Sequence, residues 1–273
     1  MERVMEHFIC ATCGVQFPAS EQPPEHCPIC EDDRQYIGWQ GQRWTNLSEL
    51  RQNLRALIRE EEPNLIGFGM EPAFGINQRA LLVRTPHGNL LWDCMSLIND
   101  EIIAKINELG GIVAIAMSHP HYYSTIVEWS HAFGNVPIYI HEADREHVVR
   151  PDPVIRFWEG TTHELLPGLT IINAPGHFDG ACVLHWADGA DGKGVLLAGD
   201  IIYVVSDRRY ASFMRSYPNL IPLNASQVRQ IVSRVEPYQF DRIYTAWFDR
   251  TMPEDAKAAV HRSAERYIAA ISE

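Results

Sequence analysis

No stretch of this chain approaches the roughly 18 consecutive apolar residues that a membrane-crossing helix requires. Neither a low-complexity tract nor a short-period repeat is present. Cations are scarce, with 23 Lys and Arg against 35 Asp and Glu, a formal net charge of −12. That balance disfavours nucleic acid and anionic lipid as partners, and a small molecule is expected instead. Met1 to Cys10 lacks the apolar stretch of a secretory leader, so a cytoplasmic protein is expected. Cysteine is too thin for a disulfide scaffold: six in 273 residues, four of them in two Cys-x-x-Cys pairs. In a reducing compartment such pairs read as metal ligands. Cys94 and Cys182 stand alone in apolar segments and read as small buried hydrophobes. With 46% hydrophobic and 21% charged residues, the chain is excluded from the disordered class and can bury a sizeable core.

The first Cys pair lies in Cys10-Ala11-Thr12-Cys13-Gly14 and the second in Cys27-Pro28-Ile29-Cys30. Each fits a tight knuckle, and two facing knuckles complete a tetrahedral site of four sulfurs. Few apolar residues lie between Glu6 and Tyr36. An ion, bound with on the order of 10 kcal/mol, supplies the stability this segment lacks. The knuckles resemble those of zinc ribbons and rubredoxins. Zinc is expected at this module, with iron as the alternative. Residues 1–45 are assigned to this four-cysteine module, with Trp39 and Trp44 read as core residues. Residues 46–62 are expected to form a linking helix, with Leu50, Leu54, Leu57 and Ile58 at helical spacing and Glu60-Glu61-Glu62-Pro63 closing it.

Residues 63–273 form the main domain. Strands are predicted at 65–68, 80–85 and 90–93, with Pro86-His87-Gly88-Asn89 as a hairpin turn. A helix at 99–109, a buried strand at 112–117, helices at 125–133 and 142–149 and a strand at 138–140 follow. Strands at 162–166, 169–174, 181–186, 194–198 and 242–246 come next, with helices at 226–235 and 254–271. This order predicts an α/β sandwich of two sheets with helices outside.

The buried strand delivers Ser118-His119-Pro120-His121-Tyr122-Tyr123-Ser124. Two histidines separated by one residue aim two imidazoles at one ion. His177 follows a later strand in Ala174-Pro175-Gly176-His177, and Asp200 sits in Leu197-Ala198-Gly199-Asp200. Three imidazoles and a carboxylate suit Zn²⁺ or Fe²⁺. The remaining nine of the 12 histidines read as surface or core residues.

The order of these parts resembles the metallo-β-lactamase superfamily, an αββα sandwich with metals at one edge. His119 and His121 match the start of its H-x-H-x-D-H motif, His177 its third histidine, and Asp200 the aspartate that normally bridges two metals. The departures are specific. Tyr123 and Ser124 stand where the motif has Asp and His, and Ala246-Trp247-Phe248-Asp249 stands where a late histidine is expected. The resemblance therefore implies a single ion, zinc or alternatively iron, at His119, His121, His177 and Asp200. It implies a metallo-hydrolase of an ester, thioester, lactone or similar electrophile. In place of the motif Asp, proton transfer is assigned to Asp200, Tyr123 or Asp249. Tyr203, Arg208 and Arg209, in the aromatic and cationic loop after Asp200, are assigned to substrate binding. Two alternatives stand: a mononuclear iron oxygenase of the persulfide dioxygenase type, using His119, His177 and Asp200, and a non-catalytic, metal-stabilised interaction protein.

Overall fold

The computed structural model describes residues 5–272; residues 1–4 and 273, the outer ends of the expected module and main domain, lie outside the described residues. The chain divides into two compact units. One comprises residues up to Tyr139 together with Arg145–Arg156, and the other Ile140–Asp144 with the chain from Phe157 onward.

The first unit begins with the cysteine segment. A two-stranded antiparallel ribbon pairs Ile9–Cys10 with Trp44–Thr45, and a short helix, Pro28–Glu31, starts inside the second knuckle. Its proline occupies the first helical turn, where the missing N–H costs no internal hydrogen bond. Around the four cysteines pack Val15, Phe17 and Ile29, with Trp44, Ile76 and Val149 against them. Trp44 meets Phe17 edge-on, ring centres 5.1 Å apart. Trp39 is not a core residue: it is fully exposed, in a turn-rich segment with neither strand nor helix around it.

The expected linking helix is much shorter than 46–62. It runs over Leu47–Asn53, with the Asn46 side chain accepting from the Glu49 N–H at the N-terminus. Arg55–Glu62 is instead a strand, paired antiparallel with Leu65–Glu71 through a turn at Pro63-Asn64. Leu50 and Leu54 fit a helix, but Leu57 and Ile58 satisfy a strand equally. Pairing to a neighbouring strand decides between them.

That hairpin opens a seven-stranded sheet in the order Arg55–Glu62, Leu65–Glu71, Ala80–Thr85, Gly88–Trp92, Ala114–Ala116, Ile138–His141, Ile155–Trp158. The first four strands form an antiparallel meander. Gly88–Trp92, Ala114–Ala116 and Ile138–His141 run parallel, connected by helices Asp100–Glu108 and Ile126–Ala132. Asn99 caps the first of these helices by accepting from the Ile102 N–H, and Ile102 and Ile106 form its buried stripe. Ala114–Ala116 is wholly buried, as a strand flanked on both sides by parallel neighbours must be.

The second unit holds a six-stranded sheet. Thr162–Leu166, Leu169–Asn173, Cys182–Trp186 and Val195–Leu197 form an antiparallel meander. Arg242–Tyr244 then pairs parallel to Val195–Leu197, and Thr251–Met252 closes the edge. Helix Ala225–Val235, with a full capping box at Asn224 and Gln227, presents Val228, Ile231 and Val235 inward. Helix Ala256–Ser272 adds Ala259, Val260 and Ala264 to the same core, which includes Ile172, Val183, Leu196 and Ile243. Sequence reading did not anticipate the strand Ile155–Trp158 or the two small hairpins, Tyr203–Val204 with Ala211–Ser212 and Met214–Ser216 with Ile221–Pro222. These strands are too short to show periodicity. Among the described residues no helix is long and apolar enough to cross a membrane.

Candidate metal centre

Among the described residues, two groups of side chains could hold an ion. In the first, Sγ of Cys10 lies 3.5 Å from that of Cys30, and Sγ of Cys13 lies 3.7 Å from that of Cys27. A regular tetrahedron with metal–sulfur bonds near 2.3 Å has edges of about 3.8 Å, so the spacing fits an ion. It is too long for a disulfide, and all six cysteines are free. The Gln42 amide donates to Cys10 Sγ at 3.0 Å. Without a cation, two members of the buried cluster resist ionisation. Cys10 is pushed down by the neighbouring thiols, Cys13 foremost. Cys13 is pushed up, chiefly by burial, and Cys30 is pushed up, chiefly by its hydrogen bond to Cys10. Ionisation of Cys13 and Cys30 therefore calls for a nearby cation.

The second group is His119, His121, His177 and Asp200. One ligand atom from each lies within 4.8 Å of every other, and all four residues are buried. His119 and His121 enter at the end of Ala114–Ala116. Asp93 fixes this exit: its Oδ1 accepts from the Ser118 N–H at 2.7 Å, and its own N–H donates to the Ala116 carbonyl at 2.9 Å. The chain then turns through a 3₁₀ segment, Pro120–Tyr122, which swings His121 back beside His119, ring centres 5.1 Å apart. The His119 Nδ1 is 2.9 Å from Ser118 Oγ, and the Tyr122 ring lies 4.2 Å from the His119 ring. Tyr122, not singled out from the sequence, thus walls the first histidine.

In the second unit, His177 Nδ1 is 3.0 Å from the Met214 carbonyl. That acceptor keeps the proton on Nδ1 and turns the Nε2 lone pair outward, the arrangement metal-binding imidazoles use. His177 Nε2 lies 3.9 Å from Asp200 Oδ1. Asp144 holds the turn after His177 by accepting from the Gly180 N–H at 2.7 Å. Tyr217 donates to the Asp200 backbone carbonyl at 2.7 Å, and its phenol is pushed up by burial and then by the Asp200 charge. This tyrosine belongs to the aromatic and cationic loop read after Asp200, but its hold on the Asp200 carbonyl was not anticipated.

The other sequence-assigned residues are placed as follows. Tyr123 is buried, and its carbonyl accepts from the Cys94 thiol at 3.4 Å. Asp249 is exposed, in the turn between Arg242–Tyr244 and Thr251–Met252. Arg209 grips Asp207 with two hydrogen bonds of 2.9 Å on an exposed loop, which holds the Asp207 carboxyl down at about 2. Arg208 is exposed on the same loop. Tyr203 belongs to an aromatic group: its ring centre lies 4.9 Å from Tyr217 and 5.6 Å, edge-on, from Trp247. The Arg250 guanidinium lies 5.8 Å from the Tyr203 ring and donates to Ser206 Oγ at 2.9 Å. Trp247, in the turn where a late histidine was expected, is therefore an aromatic wall.

No family model matches the chain. It is 52% identical over 270 residues, 98% of each chain, to the uncharacterised protein YmaE of Bacillus subtilis (strain 168). Solved metallo-β-lactamases share its fold. DIM-1 matches at 12% identity and a TM-score of 0.57, over 80% of this chain and 98% of that one. VMB-1 matches at 11% identity and a TM-score of 0.59, over 80% and 99%. A HARLDQ-motif mutant of a metallo-β-lactamase from Cronobacter sakazakii matches at 21% identity and a TM-score of 0.51, over 80% and 96%.

Proposed function

The chain belongs to the family of Bacillus subtilis YmaE and carries the metallo-β-lactamase fold, and from that premise we propose that it is a hydrolase with a single ion, zinc, in the His119, His121, His177 and Asp200 group. The observation that carries this reading is the gathering of three imidazoles and one carboxylate within 4.8 Å. Metal–nitrogen and metal–oxygen bonds near 2.1 Å give tetrahedral edges of about 3.4 Å, so small side-chain adjustments close the group around an ion. One ion is proposed rather than two because Tyr123, Ser124 and Trp247 supply none of the ligands a second would need. The four-cysteine group is proposed to hold a structural zinc.

An ion at the His/Asp group would polarise a substrate carbonyl and acidify water at neutral pH. The chain's own residues supply the rest. The Met214 carbonyl and Ser118 Oγ orient the imidazoles of His177 and His119. Tyr217 fixes the Asp200 turn through its backbone carbonyl, which leaves the carboxylate to bind the ion or to take a proton at Oδ1. Tyr203 and Trp247 present aromatic faces and edges for the acyl or ring portion of a small substrate. Esters, thioesters and lactones are the proposed substrate class. Free cysteines throughout suit a reducing cytoplasm.

Elemental analysis of protein purified without added metal, combined with a screen of esters, thioesters and lactones, tests this. The native chain should carry two zinc ions and turn over at least one substrate class. His119→Ala should keep one ion and lose turnover. An unchanged ion content in the variant removes the proposed centre. Two ions with no turnover on any substrate leave a scaffold, and iron that consumes O₂ with a persulfide makes the protein an oxygenase.

A further inference from the structure

The cysteine segment is stitched to the loop that carries His119 and His121. Ser124 closes that loop, buried and at a φ of 42°, in the left-handed region. Its carbonyl accepts from the N–H of Gln16, three residues after Cys13, at 3.0 Å. Its Oγ bonds the Gln78 amide at 2.8 Å, and the same amide donates to the Cys94 carbonyl at 2.9 Å. The knuckle also meets Ser96, whose Oγ donates to the Gly14 carbonyl at 3.1 Å. Thr125, the next residue of the loop, donates from Oγ1 to the Met95 and Ser96 carbonyls. Arg150 extends the seam. It donates to Gln16 Oε1 and, at 2.7 Å, to Glu128 on the helix Ile126–Ala132 that follows the loop.

The close approach depends on Gly14. At a φ of 82° it folds the knuckle back, its N–H donating to the Cys10 carbonyl at 2.8 Å. A Cβ there would stand 2.2 Å from Ser96 Oγ and 3.6 Å from Ser124 Oγ. Gly14 directly follows Cys13 and Gln16 lies two residues further on, so the fold of the knuckle around its sulfurs sets where the Gln16 N–H meets Ser124.

We infer that the four-cysteine module is a positioning element for the histidine loop: an ion on the four thiolates holds Ser124 and Ser96 in place and thereby raises the affinity of His119 and His121 for theirs. Gln16 and Gly14 act through Ser124 and Ser96 rather than on the reacting atoms. The backbone at Ser124 is thus held by the segment that follows the knuckle. This inference rests on the reading that both groups bind ions. Linkage makes the effect reciprocal, so each ion tightens the other.

The test is sequential metal titration of the full chain stripped by a chelator. One equivalent of Cd²⁺ fills the thiolate group, marked by thiolate-to-metal absorption in the near ultraviolet. Co²⁺ is then titrated into the His/Asp group and followed by its visible ligand-field bands. The Co²⁺ affinity is compared with that of protein whose thiolates are blocked by alkylation. At least a tenfold tighter Co²⁺ affinity is expected with Cd²⁺ in place. A double variant, Ser96→Ala with Arg150→Ala, keeps all eight ligands but cuts three seam hydrogen bonds, leaving the backbone bond from Gln16 to Ser124. It should bind Cd²⁺ as tightly as the native chain while the tenfold difference shrinks.

A native chain whose Co²⁺ affinity is the same with and without Cd²⁺ overturns the inference alone. Full coupling that persists in the double variant also overturns it, because wholesale unfolding of an empty module would then explain the effect. Absence of Co²⁺ binding under every condition overturns the metal-centre reading and this inference together.

Discussion

Asp93 offers a sharp test of how the first two histidines are held. It is buried, adopts a φ of 57°, and takes the Ser118 N–H on Oδ1 at 2.7 Å, one residue before His119. Two separable contributions follow. A hydrogen bond to a charged acceptor is worth about 1.5–3 kcal/mol, and its loss leaves a buried N–H unsatisfied. The left-handed backbone costs an ordinary residue about 1–2 kcal/mol, less for Asn and Asp, and nothing for Gly. Asp93→Ala loses both contributions and should destabilise by about 3–4 kcal/mol. Asp93→Gly loses only the bond and should recover about 1 kcal/mol of that. Asp93→Asn keeps an acceptor and tolerates the backbone, so it should cost about 1 kcal/mol. A domain of ordinary stability survives all three changes. Equilibrium urea unfolding of the metal-free chains gives the order, and cobalt affinity at the His/Asp group should fall in the same order. If the glycine variant is no better than alanine, backbone strain is not stored there. If asparagine is as damaging as alanine, the carboxylate acts through its charge and not through the Ser118 bond.

Asp144→Ala should cost about 2–3 kcal/mol in urea unfolding, because it removes the acceptor for the buried Gly180 N–H; Asp144→Asn should restore most of this. Gly194→Ala should destabilise by more than about 3 kcal/mol: a Cβ would stand 2.0 Å from the Gln239 carbonyl oxygen at a φ of 86°, and the expected result is insoluble or thermally labile protein. Burial lowers the His185 pKa from its ordinary value, although its ring bonds the Gln239 carbonyl at 2.7 Å. The folded chain therefore resists a proton that the unfolded chain accepts. Stability from this residue is complete above about pH 6.5 and declines as the pH falls toward the lowered folded value. Urea midpoints measured between about pH 7 and pH 5 should drop less steeply for His185→Gln than for the native chain.

The fold and the His/Asp group were legible because their signals are local. His119 and His121 follow a buried apolar strand, while His177 and Asp200 sit in glycine turns after later strands. Chain order then matched the superfamily in which solved neighbours lie. The residues that hold these ligands were not legible. Asp93, Asp144, Met214 and Tyr217 act across tens of residues through single hydrogen bonds, and no spacing rule marks them. Arg209 was assigned to substrate because a cation beside aromatics suits an acidic ligand. Its fork closes on Asp207, a neighbour on the same loop. The segment from Arg55 to Glu62 was read with a helical period because Leu57 and Ile58 continue Leu50 and Leu54. A strand needs only a partner of matching length, and Leu65–Glu71 provides it. Seam contacts such as Gln16 to Ser124 are backbone-mediated and invisible to side-chain reading.

Trp39 gives the protein a built-in optical probe. Trp92, Trp129, Trp158 and Trp186 are buried, whereas this indole stands fully in solvent shortly after the second cysteine pair. Its emission should be red-shifted, and iodide should quench it selectively. Changes in that quenched fraction would then report events near the sulfur cluster in intact, unlabelled protein, while the shielded indoles serve as an internal reference.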